Sequence, residues 1–171
     1  MKRLLISFTI ILPVMTIWMG CSKLSTSRSK DFTHTGCASA TRAGSFYGDE
    51  PSLLTLKYEN GELRVTHTNA VWNCAIKDRG LTCKAYVEGD EIHYYVDYEK
   101  KSDLEADCIC TVEEMTSLIT NLQEGKEYTF KYSCLDRNYK PFTLTFNKGL
   151  LLIIDMATLS QDDSYQSNTH S

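Results

Sequence analysis

The chain has 171 residues, of which 18 are Lys or Arg and 22 are Asp or Glu, so its formal net charge is −4. This length is sufficient for one domain with a substantial hydrophobic core. A mildly acidic chain without a basic run gives no electrostatic reason to bind nucleic acid, and that class of partner is excluded.

The N-terminus has the layout of a secretory signal. A short positive segment, Lys2 and Arg3, precedes an uncharged apolar run that ends at Met19. A retained membrane-spanning helix needs about 20 apolar residues, whereas this run is shorter and contains Pro13. We therefore predict that residues 1–20 are a lipoprotein signal peptide that is removed.

The junction between Gly20 and Cys21 resembles the lipobox of bacterial lipoproteins, in which a small residue precedes the cysteine. The resemblance implies cleavage before Cys21, and it implies that palmitate and other acyl chains on this residue anchor the protein to a lipid bilayer. Ordinary cleavage nearby, with Cys21 left as a thiol, stays open as the alternative. In related bacteria, acidic residues directly after the lipidated cysteine mark export. Residues 22–27 contain none, so we expect an outer-membrane lipoprotein that faces the periplasm.

The segment that follows Cys21 is rich in Ser, Thr, Gly and Ala and shows no apolar period. Residues 21–50 are therefore predicted to be the lipidated cysteine and a flexible tether, with one possible anchored point at Cys37. The polar C-terminal residues 158–171 are predicted to be a disordered tail. The folded domain is expected to span 51–157.

Apolar residues recur with a period of two through most of this domain, which predicts β-strands. Asn60-Gly61 between two such runs is a strong hairpin signal. The run 150–156 does not alternate, which predicts a strand that is covered on both faces or lies in a partner contact. Seven or eight short strands predict an all-β, antiparallel sandwich. The predicted strands are 53–59, 62–74, 82–88, 91–98, 106–121, 127–134, 141–147 and 150–156.

The stretch "NLQEGKEYTFKY" resembles the corner before strand F of fibronectin type III domains, with Leu122, Gly125 and Tyr128 at the matching positions. The resemblance implies that Tyr128 packs in the core and bonds through its hydroxyl to upstream backbone. Gly125 would permit the tight turn. The fold implied is a fibronectin III/Ig-like sandwich.

Residues 53–134 also resemble small, uncharacterised lipoproteins of Bacteroides-type bacteria. The stretches "VTHTNAVWNC" and "ADCIC", followed by Leu122, Gly125 and Tyr128, carry this resemblance. It implies a β-sandwich lipoprotein and assigns it no activity.

Export implies an oxidising compartment, in which disulfides persist. Setting Cys21 aside for lipid leaves an even number of cysteines that can pair. The fibronectin-like order makes the second and fifth predicted strands neighbours, and likewise the third and the sixth. It thereby implies a Cys83–Cys134 bridge and a bridge from Cys74 to Cys108 or Cys110. Cys37 would pair with whichever of Cys108 and Cys110 remains. The sequence alone leaves other connectivities open.

Thiolates gathered at one end of the sandwich could instead hold a soft metal ion or act in redox chemistry. The spacing of Cys108 and Cys110 is not usual for zinc, and no Cys-x-x-Cys pair occurs in the sequence. We expect no metal and no other cofactor. A metal-thiolate or redox protein stays open as an alternative.

No catalytic motif is found, and His67 and His93 on predicted strands are interpreted as satisfied or solvated. We therefore expect no catalytic residue and no enzymatic activity. A glycan-active enzyme stays open as a further alternative, because glycosidase carboxylates need no local motif.

Aromatic side chains are the remaining indication of function. Strand parity places Tyr94, Tyr98 and Tyr132 in the core. We expect a membrane-anchored, disulfide-braced, non-catalytic binding or structural module of the bacterial envelope, whose ligand is a protein or a glycan. The candidates for its binding surface are Tyr86, Tyr95 and Tyr139, which lie off that parity or in a loop.

Overall fold

The computed structural model describes residues 30–42, 50–102, 106–135 and 137–161. The predicted signal peptide, the lipidation candidate Cys21 and most of the predicted tail lie outside these described residues. In the described part of the chain, no helix is long and apolar enough to span a membrane.

Strands dominate the described residues, with two short helices between them. In chain order the elements are β1 (Lys30–His34), β2 (Cys37–Arg42), β3 (Leu53–Glu59), β4 (Glu62–Asn73), α1 (Ile76–Arg79), β5 (Leu81–Glu88), β6 (Glu91–Tyr98), β7 (Cys108–Ile119), β8 (Glu127–Cys134), β9 (Arg137–Asn138), β10 (Phe142–Thr145), β11 (Leu151–Asp155) and α2 (Met156–Leu159).

The strands form two sheets that pack around one apolar core. Sheet A has the order β1–β7–β4–β3–β11, and β2 also pairs with β7. Sheet B has the order β10–β8–β6–β5, with the short β9 beside β8. The expectation of an all-β sandwich is therefore confirmed.

The strands follow the alternation of the sequence. In β3, Leu54, Leu56 and Tyr58 are buried, whereas the residues between them are more exposed. The chain turns from β3 into β4 at Asn60 and Gly61, whose φ angles are 53° and 82°. Asparagine and glycine adopt these left-handed values at low cost. The predicted hairpin is confirmed.

A break in alternation within β4 brings two residues of opposite parity to the core. His67 and Trp72 are both buried. Between them Asn69 has a φ of 55°, which interrupts the regular pleat and changes the parity of the inward positions. The Asn69 side chain donates to the Pro51 carbonyl at 3.1 Å, so this bend is tied to the start of β3.

One strand pair differs from the fibronectin-like arrangement. β8 pairs with β6 and not with β5, and the pair is parallel, with Tyr94 beside Tyr132 and Val96 beside Cys134. Parallel neighbours need a crossover, and β7 supplies it by passing through sheet A. The expected antiparallel pairing of the third and sixth predicted strands is therefore wrong, whereas the pairing of the second and fifth, β4 with β7, is confirmed.

The predicted tether extends too far into the domain. β1 and β2 both pair antiparallel with β7 and form one edge of sheet A, with Gly36 between them at a φ of 77°. Residues 30–42 therefore belong to the sheet, and their assignment to a flexible tether is wrong. A Ser/Thr-rich edge strand buries little apolar surface, so its alternation is weak in the sequence.

The corner before β8 has the contacts that the resemblance implied. The buried Tyr128 accepts a hydrogen bond from the backbone N–H of Gln123, with 3.2 Å between Tyr128 Oη and Gln123 N. Gly125 has a φ of 76°, and Leu122 is buried. Leu122, Gly125 and Tyr128 thus take the roles expected of them.

The apolar run at 150–156 forms the edge strand β11. Leu151 and Ile153 are 60% and 57% exposed, whereas Leu152 and Ile154 pack against the core. The expectation that this strand is covered on both faces within the domain is therefore wrong. A partner contact at this edge stays a prediction.

Two disulfides brace sheet A. Cys37 is linked to Cys110, which fastens β2 to β7, and Cys74 is linked to Cys108, which fastens the end of β4 to the start of β7. The expected partners of Cys37 and Cys74 are confirmed. Each bridge restricts the unfolded chain and contributes about 2–4 kcal/mol to stability.

The implied Cys83–Cys134 disulfide is wrong. Cys83 on β5 and Cys134 on β8 lie on either side of Val96 in β6. Two strand spacings, about 10 Å, separate their Cα atoms, and a disulfide needs them within about 7 Å. Both residues are buried thiols, and burial raises the pKa of Cys134 to about 12.

We expect that alkylation will distinguish these two cysteines from the others. Iodoacetamide should modify Cys83 and Cys134 only after the chain is unfolded, because both thiols are buried in the native protein. Peptide mass mapping without reduction should recover Cys37 linked to Cys110 and Cys74 linked to Cys108. A cross-linked Cys83–Cys134 peptide would contradict the placement of β6 between β5 and β8.

Candidate functional site

Three rings meet on the outer face of sheet B. Tyr86 on β5 pairs directly with His93 on β6, and their rings stack with centroids 4.6 Å apart and planes inclined by 5°. Tyr95, on the same face of β6, has its ring centroid 6.0 Å from that of Tyr86 and 6.2 Å from that of His93. We call Tyr86, His93 and Tyr95 the aromatic cluster.

An ion pair fixes the cluster from the side of β8. Glu91 accepts hydrogen bonds from Lys131 Nζ at 2.7 Å and from His93 Nε2 at 3.2 Å. The hydrogen bond from Lys131 is the main cause that lowers the pKa of Glu91. The ionised carboxylate can only accept, so His93 Nε2 carries a proton.

The same chain of hydrogen bonds orients the two tyrosines. The Tyr95 hydroxyl lies 3.2 Å from His93 Nδ1 and 3.5 Å from the Tyr86 hydroxyl. In a neutral imidazole protonated at Nε2, Nδ1 accepts from Tyr95, and Tyr95 then accepts from Tyr86. The hydrogen bond between Tyr86 and Tyr95 is the main cause that raises the pKa of Tyr86 to about 12, and burial is the second cause. The rings are therefore preorganised, which lowers the entropy cost of binding.

A cleft of about 430 Å³ opens beside the aromatic cluster. Tyr95 is 38% exposed and lines it together with Thr82, Lys84 and Asp97. The volume is within the range of small-ligand sites, roughly 300–1,000 Å³. The cleft can accommodate a ligand unit that presents an apolar face to the Tyr95 ring and polar groups to Lys84 and Asp97.

The third surface candidate, Tyr139, lies at a different place. Its half-buried ring stacks on Tyr132, with centroids 5.2 Å apart and planes inclined by 12°. It lines a second cavity of about 260 Å³ at the junction of β4, β8, β9 and α2. The structure thus brings Tyr86 and Tyr95 together and separates Tyr139 from them. Tyr94, Tyr98 and Tyr132 are buried, as predicted.

His67 lines the second cavity and connects the two sheets. Its Nδ1 lies 2.6 Å from the Tyr132 hydroxyl on β8, and its Nε2 lies 2.8 Å from the Ser52 hydroxyl. A neutral imidazole has one donor and one acceptor, which suits two hydroxyl partners that can each play either part. Burial lowers the pKa of His67 to about 4, so the ring is neutral at neutral pH.

Trp72 lines the same cavity. It is 1% exposed, and its ring packs edge-on against Tyr98 with centroids 5.5 Å apart. Among the described residues, its Nε1 is the buried side-chain polar atom that lacks a hydrogen-bond partner. An unpartnered buried donor costs about 1–3 kcal/mol.

Sequence reasoning identifies the outward tyrosines but gives no role to either histidine. Glu91, His93 and Tyr95 alternate along one face of β6, and this pattern is the signal for a polar–aromatic surface. His67 follows Leu63 and Val65 at inward positions of β4, which signals a buried histidine. Their partners Lys131, Tyr132 and Ser52 come from other strands or from the chain before β3, so spacing alone cannot supply them.

Within the described ranges, no three or more His, Cys, Asp and Glu side chains come together as a potential metal site. Four cysteines are held in the two disulfides, and their sulfurs therefore do not offer thiolates to a metal. Comparison of the chain with protein-family models, with curated proteins and with solved structures finds no match.

Burial of neutral His67 predicts a loss of stability in acid. The pKa of this group is lowered from 6.5 to about 4 in the folded state, so only the unfolded chain gains its proton between these values. The free energy of unfolding should therefore fall by about 3 kcal/mol as the pH drops through this window. Urea unfolding of the wild type and of His67→Gln across that range measures it.

The informative quantity is the difference between the wild type and His67→Gln in how steeply the free energy of unfolding changes with pH, because the carboxylates contribute equally to both proteins. His34→Gln, which removes an exposed imidazole, is the matched control and should retain the steep slope of the wild type. Equal slopes for the wild type and His67→Gln would show that His67 is not a buried neutral group.

Proposed function

We propose that this protein is a non-catalytic binding module of the bacterial envelope, which recognises a glycan through the aromatic cluster and the cleft beside it. In this proposal, lipid on Cys21 holds the domain at the outer membrane, facing the periplasm. The disulfide-braced sandwich serves as the rigid support for the ligand-binding face.

The observation that carries the proposal is the preorganised stack of Tyr86, His93 and Tyr95 on an exposed sheet face. The Tyr95 hydroxyl bonds to the Tyr86 hydroxyl and to the His93 imidazole, which bonds in turn to Glu91. Ring surface at Tyr95 therefore remains available to a ligand without reorganisation of the site. Rigid aromatic side chains with few rotatable bonds are effective anchors for recognition.

The chemistry of this face favours a sugar. One face of a pyranose ring carries C–H groups that pack against an aromatic ring, while its hydroxyls need hydrogen-bond partners at the rim. Tyr95 offers the ring, and Lys84 lies directly across from it on β5. Asp97, one position further along the same face, offers an acceptor where Lys84 offers a donor.

The lipid anchor rests on the sequence around Cys21, which lies outside the described residues. Residues 22–29 separate this cysteine from β1, and a fully extended segment of that length spans at most about 30 Å. The domain would therefore stay close to the bilayer. The Cys37–Cys110 bridge would fasten the strands next to the tether to β7, which is an interior strand of sheet A.

We expect Tyr95→Ala to abolish most of the glycan binding. Native affinity electrophoresis in gels containing mannan, galactan, xylan or glucan should show that at least one of them retards the wild type. Loss of an aromatic anchor at the centre of a binding face should weaken this retardation about tenfold or more.

Ile153→Ala is the matched control, because it removes an exposed apolar side chain from the opposite sheet. It should migrate like the wild type in every gel. Equal retardation of Tyr95→Ala and Ile153→Ala would refute the role of the aromatic cluster. Retention of a peptide partner by the wild type but not by Tyr95→Ala, without retardation by any polysaccharide, would identify this face as a protein-binding site instead.

We also expect Cys21 to carry the lipid. Cells fed an alkyne-tagged fatty acid should label the wild-type protein and should not label Cys21→Ser, and intact mass should place the mature N-terminus at residue 21. Cys83→Ser is the control and should retain the label. A labelled Cys21→Ser protein, or a mature chain that begins elsewhere, would rule out the lipid anchor.

A further inference from the structure

The second cavity is separate from the glycan face. Its lining residues include Trp72, Cys134, Arg137 and Met156, and none of them lines the cleft beside the aromatic cluster. The cavity opens between the two sheets, whereas the cluster lies on the outer face of sheet B. A ligand in this cavity would therefore bind independently of one at Tyr95.

The charge of the cavity is distinctive in an acidic chain. Among the described residues that line it, Arg137 is the charged side chain, and no carboxylate accompanies it. His67 is neutral because burial lowers its pKa to about 4. A cavity whose charged side chain, among the described lining residues, is a cation favours an anionic ligand.

The guanidinium acts on the groups around it. Burial is the main influence on Tyr139 and Cys134 and raises the pKa of both, whereas Arg137 opposes the rise in each case. Arg137 is itself exposed and hydrogen-bonds to Tyr139, so it lies at the opening of the cavity. Its planar fork of donors matches the two oxygens of a carboxylate.

Buried apolar side chains form part of the wall behind Arg137. Ala70, Trp72 and Met156 line the cavity and are buried, and the nitrogens of His67 are both engaged by hydroxyl groups. These side chains favour burial of a hydrocarbon body. The volume of about 260 Å³ limits that body to a small molecule.

We propose that the second cavity binds a small organic carboxylate, whose anionic group meets Arg137 and whose apolar body lies against Ala70, Trp72 and Met156. Two features of the geometry carry this inference: a cation at the opening, with no carboxylate among the described lining residues, and buried apolar side chains behind it. The protein would then hold a small acid in addition to its proposed glycan.

Tryptophan fluorescence tests the proposal directly. The chain has two tryptophans, and Trp18 lies in the predicted signal peptide. In the chain that begins at Cys21, Trp72, which lines the cavity, is therefore the reporter. Phenylacetate and butyrate are titrated, each beside its neutral amide, up to millimolar concentration. We expect a saturable change in Trp72 emission with at least one acid. The affinity for the corresponding amide should be lower by about tenfold or more.

Arg137→Gln supplies the second comparison. It should lower the affinity for the acid about tenfold or more and leave binding of the amide unchanged. Lys140→Gln, which removes a nearby exposed cation that does not line the cavity, should leave both affinities unchanged. An unaltered melting temperature in both variants checks that they are folded.

Three results would overturn the proposal. The first is equal binding of acid and amide, the second is an equal effect of Arg137→Gln and Lys140→Gln, and the third is no saturable change with either acid. None of these results depends on polysaccharide binding, so this proposal and the proposed glycan function fail or succeed separately.

Discussion

The parallel pairing of β6 with β8 is the constraint on which both candidate sites depend. On the inner face it sets Tyr94 beside Tyr132, and on the outer face it sets His93 beside Lys131. A slip of one residue would send each of these side chains to the opposite face. One register therefore determines the polar contacts of the core and the ion pair that fixes the aromatic cluster.

Two buried hydrogen bonds then fix how the sheets sit on one another. The Tyr132 hydroxyl on sheet B meets His67 Nδ1 on sheet A at 2.6 Å, and the Tyr94 hydroxyl meets Ser117 Oγ at 2.8 Å. Burial raises the pKa of both tyrosines, so both hydroxyls keep their protons. A buried hydroxyl without a partner would be costly, so these contacts select one relative placement of the sheets.

The cysteines show where reasoning from the sequence succeeds and where it stops. Alternation places Cys108 and Cys110 on one face of β7, and the antiparallel pairing of β4 with β7 brings Cys74 to them. Cys37 received its partner only as the cysteine that was left, although β2 does pair with β7. The same reasoning fails for Cys83 and Cys134, because it requires β5 and β8 to be neighbours. Strand order is a property of the whole sheet, and the two-residue alternation of apolar side chains contains no information about it.

Local alternation and turn residues predicted the strands β3–β8, β10 and β11, whereas β1, β2 and β9 were not predicted. The roles of Leu122, Gly125 and Tyr128 came from the resemblance to fibronectin type III domains, and strand parity marked Tyr86 and Tyr95 as outward-facing. The assembled fold brings His93 and Lys131 to those tyrosines and opens Arg137 onto the cavity at His67. Such contacts join strands far apart in the chain, and their formation depends on how two sheets bury their apolar faces together.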